Sequence, residues 1–340
     1  MKILIDYQYH LSNNYSDFIF FSDLINELKS YEDIELVLPN SIENTIKELE
    51  LNSYDIFQAT GNMDYYLNYM NKDKKFVVYI SDMISELLYE KAEKDIQVLN
   101  REIECKAKQI FLANSIITPH IDFKNTIKLL YSKYKDVFSI TEVIKTGISQ
   151  EIIEYKENTL FDIKQYILYI GQRNNPIDIY RFKDFVKNIA SYLNENNLYL
   201  VSLGQEYTKD EINLFQELKI ITKVIYVKNF SYINSLIQNS KCVIFTSVYT
   251  TLDLTILYTY KLKQIALLND VNKIYHAIGG DFGCYFDFDN ITHSLDTVLH
   301  LTNNEQQEII ENQLKRLTDF NIVNSTKTIY NLYKKLNENN

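Results

Sequence analysis

The residues best placed to do chemistry stand where apolar runs end. Residues 242–260 read CVIFTSVYTTLDLTILYTY. The apolar run Cys242–Phe245 is followed by Thr246, Ser247, Tyr249, Thr250 and Thr251, all hydroxyl residues. Leu252 and Asp253 then open a helix-like stretch. Hydroxyls and backbone amides at a helix N-terminus suit a phosphate or a sugar hydroxyl. They also suit simple capping by Thr250 or Thr251, with Asp253 complementing the helix dipole. A second group, Gly171, Gln172 and Arg173, follows the apolar run Tyr166–Ile170. Glycine lets a backbone approach a ligand closely, and arginine pairs bidentately with a diphosphate. A strand-to-helix turn carrying a surface arginine explains the same residues.

The first half has fewer such residues. Ser81 and Asp82 follow Phe76–Ile80, and Asp82 can face a ligand or cap a helix starting near Met83. His120 follows Ile116–Thr118 and offers an imidazole or a loop residue. His10 lies in DYQYHLSNNYSD, which reads as a pocket lining or a solvated loop. In the second half, HAIGGDFGCYF reads as a flexible segment whose Gly279–Gly280–Asp281 turn can touch a nucleotide or act as a lid. Asp287–Phe288–Asp289 reads as surface.

Several classes are disfavoured. No HExxH, P-loop or supported Ser/His/Asp set occurs, so hydrolase and metalloenzyme readings are weak. Cys105, Cys242 and Cys284 are far apart, which reads as a reducing cytoplasm without disulfides or structural zinc. A net charge of −10 opposes a nucleic-acid partner. No run of 18 apolar residues and no signal peptide is read. The expected location is therefore cytoplasmic, with peripheral attachment at the inner face of the membrane open.

The elements that must hold these residues alternate between strand and helix. The first series reads as strands at Lys2–Ile5, Ile34–Val37, Ile56–Gln58, Phe76–Ile80, Gln109–Leu112, Ile116–Thr118 and Glu142–Lys145. The second has strands at Tyr166–Ile170, Leu198–Leu203, Lys223–Val227, Cys242–Phe245, Gln264–Leu268 and Cys284–Phe286. Helical patterns fill the gaps, including Asp17–Leu28, Met83–Lys108, Thr251–Tyr260 and a closing Ser325–Leu336. Such alternation predicts parallel sheets covered on both faces, here in two domains, 1–155 and 156–324. Ligands of such sheets bind where strand C-termini open into loops.

Three segments in order, EVIKTGI (142–148), YILYIGQR (166–173) and FTSVYTTLDLTILYTYKLKQIALLN (245–269), resemble glycosyltransferases of GT-B fold, family 4 type. Weaker matches are MKILID, VVYISDM, ANSIITPHIDFKNTI and LVSLGQE, and together they cover most of the chain. The resemblance implies an α/β GT-B architecture of two Rossmann-like domains facing a central cleft. It implies that helix 325–340 crosses back to the first domain. The activity implied is hexosyl transfer, with retention, from a UDP- or GDP-linked sugar to a glycan, lipid-linked or protein acceptor, in cell-surface glycan biosynthesis. Donor contacts would come from Gly171, Arg173, Gly204, Ser247, Tyr249, Thr250, Thr251, Leu252 and Asp253. Asp82 and His120 would be the catalytic-side polar residues, with His10 and Ser81 on the acceptor side. No metal or cofactor is implied, and a partner glycosyltransferase or a homo-oligomer is compatible. The family's two donor-site glutamates fall at Thr250 and Tyr258, its clamp lysine near Ile177, and its histidine at Ser81. A catalytically inactive relative acting as a binding or partner subunit is therefore the alternative.

Overall fold

Twelve short strands build two parallel sheets in the computed structural model, which describes residues 1–8, 15–61, 65–81, 96–132, 136–150, 165–171, 173, 179–203, 206–225, 230–249 and 253–338. The chain divides into two units, Met1–Ser149 with Phe320–Asn340, and Gln150–Asp319.

The first unit holds β1 (Lys2–Ile5), β2 (Glu35–Val37), β3 (Ile56–Ala59), β4 (Lys75–Tyr79), β5 (Ser115–Thr118) and β6 (Thr141–Val143). Their order is β2-β1-β3-β4-β5-β6, every pair parallel. The strands β3 and β5 are buried at every position, as expected when helices cover both faces. The last helix, Ile322–Glu338, belongs to this unit and packs on Tyr15–Leu28. Ile148 and Asn321 form a parallel bridge that stitches the returning chain to the end of the first. A Cβ on Gly147 would lie 2.4 Å from the Asn321 carbonyl carbon, so only glycine permits that approach. Further along, Tyr333 Oη donates to Gln58 Oε1 at 2.9 Å in the core, and Lys334 pairs with Asp33 at 3.1 Å on the surface.

The second unit holds β7 (Tyr166–Tyr169), β8 (Tyr199–Leu203), β9 (Thr222–Ile225), β10 (Val243–Phe245), β11 (Ala266–Asn269) and β12 (Cys284–Phe286). Their order is β12-β11-β10-β7-β8-β9, again all parallel. The core on one face joins Tyr169 to Phe182, Phe185, Val186 and Ile189 of the helix Phe182–Glu195, and to Phe215. Tyr169 stacks on Phe185 with ring centroids 5.6 Å apart.

Both sheets reverse their winding once, between β1 and β3 in the first and between β7 and β10 in the second. In open parallel sheets ligands bind outside the strand ends at such reversals. Elements differ from the sequence expectation in several places. Gln109–Leu112 continues the helix Ile96–Leu112 and is not a strand. A four-residue apolar run fits either state, and here the Ala113 N–H donates back to the Gln109 carbonyl in helical fashion. The closing helix starts at Ile322, three residues before the expected Ser325. The HAIGGDFG segment is an ordered turn: the helix Lys273–Gly279, then the 3-10 turn Gly280–Phe282. Arg316 Nε and Nη2 donate to the carbonyls of Ile278 and Ala277 at 2.7 and 2.6 Å, and Tyr285 Oη donates to Gly280 O at 2.8 Å. These bonds cap the helix end, so the segment is a built terminus and not a free lid.

Candidate functional site

The reversal in the second sheet brings the loops after β7 and β10 side by side. Thr246–Tyr249 leaves β10 and is fastened at both edges. The Val248 N–H donates to the Ile179 carbonyl at 2.8 Å, Ser247 Oγ reaches the same carbonyl at 3.4 Å, and the Thr246 hydroxyl bonds the Tyr180 carbonyl. Ser247 is fully buried, and its hydroxyl also bonds the Tyr249 carbonyl. From the far side come two buried asparagines. Asn269 Nδ2 donates to Thr246 O at 2.8 Å, and Asn272 Nδ2 to Ser247 O at 3.0 Å. Asn272 Oδ1 meanwhile caps Lys273–Gly279 through the Ile274 N–H at 3.0 Å. Tyr275, wholly buried, touches the Ser247 backbone, and its hydroxyl is held far above its ordinary pKa of 10.0 by burial first and by the Asp253 charge second.

The result is a rigid loop. Its first residues are core, while Val248 and Tyr249 are partly exposed. The helix Leu254–Lys261 that follows is buried along its length. Its N-cap is Asp253, whose Oδ1 accepts from the Thr255 N–H at 3.2 Å and from the Thr255 hydroxyl. The sequence reading gave the cap to Thr250 or Thr251, with a helix from Thr251. The helix starts three residues later because Asp253 can close both the amide and the hydroxyl of Thr255. Thr250, Thr251 and Leu252 lie outside the described residues, as does Gly204. Tyr258, where the family carries its second glutamate, is buried on the helix, with Lys261 Nζ 5.4 Å from its ring.

The loop after β7 departs from the sequence reading. Gly171 sits where expected, and a Cβ there would lie 2.9 Å from the Tyr169 hydroxyl. Arg173, read as a diphosphate ligand, turns into the fold. Its Nε donates to Glu211 Oε1 at 3.2 Å, with the side chains 2% and 1% exposed. The guanidinium stacks 4.5 Å from the Tyr207 ring and 5.6 Å from that of Phe182. Glu211 Oε2 accepts from the Thr208 N–H at 2.7 Å, completing a capping box on Lys209–Leu218. The pair joins the loop after β7 to the N-terminus of the helix Lys209–Leu218 that follows β8. The signal in sequence was the TKDE capping box, but nothing in spacing links residue 211 to residue 173.

In the first unit the structure brings together polar residues at the ends of β1, β3 and β4. Ser81 Oγ donates to Asp17 Oδ2 at 3.2 Å, and both residues are buried. Asp6, fully buried after β1, accepts at Oδ1 from the Thr60 N–H at 3.1 Å and from the Thr60 hydroxyl. Burial raises the Asp6 carboxyl from its ordinary 3.8 to about 7. Neither Asp6 nor Asp17 was singled out from sequence. The signal was there for Asp6, a carboxylate ending the apolar run KILI. His120 caps Ile121–Tyr131, its Nδ1 accepting from the Asp122 N–H at 3.2 Å. That is a structural use of a residue read as a candidate for catalysis. Asp82 and His10 lie outside the described residues. Among the described residues no cluster of His, Cys, Asp and Glu has the makings of a metal site.

Comparison by sequence finds no matching family model and no matching curated protein. Comparison by structure finds matches over the whole chain. A sucrose-phosphate synthase from Thermosynechococcus elongatus superposes with a TM-score of 0.72 at 11% identity, covering 100% of this chain and 99% of the other. Anabaena HepE, solved in complex with UDP-glucose, gives 0.68 at 12% identity over 98% and 100%. The trehalose-6-phosphate synthase OtsA gives 0.68 at 8% identity, over 98% of each chain. With its two parallel sheets and its last helix built into the first unit, the chain has the GT-B fold of these glycosyltransferases.

Proposed function

We propose that the protein is a glycosyltransferase that binds a nucleotide-diphosphate sugar, UDP- or GDP-linked, in its second unit and passes the sugar to a glycan, lipid-linked or protein acceptor. The observation that carries this reading is the Thr246–Tyr249 loop. It is held rigid at the β7/β10 reversal by Asn269 and Asn272, in a chain that shares its full-length architecture with a protein solved with UDP-glucose. Pre-fixed backbone donors next to a strand end are what a diphosphate needs, and they require no reorganisation on binding. With Arg173 engaged by Glu211, and with the Thr246 and Ser247 hydroxyls and the Val248 N–H bonded within the fold, contact with the leaving diphosphate falls to the partly exposed Tyr249 end of this loop. Catalysis would then rest on positioning and on that stabilisation, with retention of configuration and no metal. Ser81 belongs to the acceptor side in this reading.

One observation favours a second reading, a non-catalytic binding or partner subunit. Arg173 and Asp253, the charged residues read as donor contacts, both have structural employment. A thermal-shift screen with UDP, GDP, ADP and their sugars separates the two, followed by donor hydrolysis on any binder. Stabilisation by one nucleotide with turnover supports transfer. Stabilisation without turnover favours the second reading, and no stabilisation removes the donor site.

A further inference from the structure

The helix Ile121–Tyr131 packs on β5 and β6 and buries Phe123, Ile127 and Tyr131. At 3.6 residues per turn these three define its inner side, and Leu129 falls on the crest that faces away from them. Leu129 is 78% exposed. Ile121 and Lys128, one heptad apart, lie within about 20° of each other on the flank between crest and core, and both are exposed. That flank meets the short helix Val137–Ile140 and the edge strand β6. There Lys124 Nζ and Lys128 Nζ stand 4.2 and 4.6 Å from the centroid of the Phe138 ring. Lys124 Nζ also donates to the Thr141 carbonyl at 2.6 Å. Phe138 and, on β6, Val143 are exposed as well. One surface of the first unit thus carries Ile121, Leu129, Phe138 and Val143, with two ammonium groups held on its aromatic ring.

Folding explains neither half of this surface. Like charges four residues apart on a helix repel, and large apolar side chains gathered in the open mark a contact. The charge also runs against the chain. Residues 124–135, KNTIKLLYSKYK, hold four lysines and no acid, in a protein of net charge −10. The acids at the border are turned to other uses. Asp122 pairs with His120, Asp136 caps Val137–Ile140, and Glu142 alternates with Val143 and so points to the other face of β6. A second copy of the chain fits poorly, because a two-fold contact sets Lys124 and Lys128 against the same two lysines. An anionic lipid surface answers both halves. Lysines lay their stems on apolar surface and hold their ammonium groups among phosphates, while apolar side chains beside them enter the boundary with the acyl chains. We propose that this face docks the protein on an anionic lipid bilayer, with Lys124 and Lys128 at the level of the headgroups and Leu129 inserted below them. The proposal goes beyond the glycosyltransferase reading and does not rest on it.

The test is co-sedimentation of the full chain with vesicles of phosphatidylcholine alone and of equal parts phosphatidylcholine and phosphatidylglycerol. The chain should bind the anionic vesicles, leave the neutral ones, and be released as salt rises. Lys128→Gln and Leu129→Gln change exposed side chains and should leave the melting temperature where it is. Lys128→Gln should weaken partition about 5-fold, the worth of one lysine at an anionic surface. The two changes together should weaken it by more than about 10-fold, since the inserted apolar surface is lost as well. No sedimentation with anionic vesicles overturns the proposal, as does equal binding to neutral ones. Partition unchanged in the double variant, still folded by its melting temperature, overturns it too, because lipid would then meet another face. Sedimentation velocity without lipid should show a monomer. A dimer that the double variant dissociates would give this face to a second copy and overturn the lipid assignment.

Discussion

Arg173 Nε lies 3.2 Å from Glu211 Oε1, and the two side chains are almost entirely out of solvent. The pair fixes the loop after β7 to the N-terminus of Lys209–Leu218 and leaves the arginine facing protein. Breaking a buried pair strands a charge, at about 3–5 kcal/mol. Arg173→Ala should therefore lower the unfolding free energy by that order, read by chemical denaturation. Glu211→Gln should cost about as much, because its single oxygen can serve Arg173 or Thr208 but not both and the arginine charge is left unpaired. A variant Arg173→Ala as stable as the parent would return the arginine to the ligand side.

Asn272 does two jobs at once, capping one helix and holding the Ser247 carbonyl. Asn272→Asp retains the cap acceptor and loses the amide donor. We expect a clear loss of stability, because a buried carboxylate would face the Ser247 carbonyl, and a nucleotide affinity lowered by about 10-fold, since the loop loses a bond worth roughly 1 kcal/mol and gains a repulsion. Calorimetric titration with UDP and GDP reads the affinity. Equal affinity in the variant would detach this asparagine from the site.

Asp6 makes stability depend on pH in a defined window. Unfolded, its carboxyl ionises near 3.8, and folded it ionises at about 7. Between those values the unfolded chain has released a proton that the folded chain still holds. Stability therefore falls as pH rises from about 4 to about 7, by up to about 1.4 kcal/mol per pH unit from this group, and then levels off. Asp6→Asn removes that component. The stability gained by the variant should be near zero at pH 4 and largest above pH 7, by denaturant midpoints across the range.

Much of this was legible in sequence, and the exceptions have a common cause. Short apolar runs alternating with amphipathic ones specify parallel sheets, and nearly all strands were placed within a residue or two. Gln109–Leu112 failed because four apolar residues carry no period. The change from Phe245 to hydroxyl residues marks the end of β10 and the start of the loop after it. What spacing could not show was partnership. Arg173 meets a glutamate 38 positions away, and Asp6 meets Thr60 54 positions away. The asparagines that hold the loop, Asn269 and Asn272, sit in an unremarked LLNDVN stretch whose role exists only once β11 lies beside β10.

Gly147 ties the end of the chain to the first unit. A side chain there would enter the Asn321–Ile322 backbone, 2.4 and 2.6 Å away. Gly147→Val should displace the strand-like bridge and cost at least about 1–3 kcal/mol, the usual range for overpacking. Limited proteolysis should cut near residue 320 in the variant well before it cuts the parent. Equal protection in both would show that the helix Ile322–Glu338 is held without this contact.

The central claim is that the Thr246–Tyr249 loop receives the diphosphate of a nucleotide sugar. Hydrogen exchange of the intact chain, with and without UDP-glucose and GDP-mannose, tests it most directly. The account predicts that one of the two slows exchange at the amide of Tyr249, the Val248 amide being already bonded to the Ile179 carbonyl, and that Asn272→Asp weakens the effect. Unchanged exchange through residues 246–249 with both ligands at saturating concentration, or protection confined to the first unit, would contradict it.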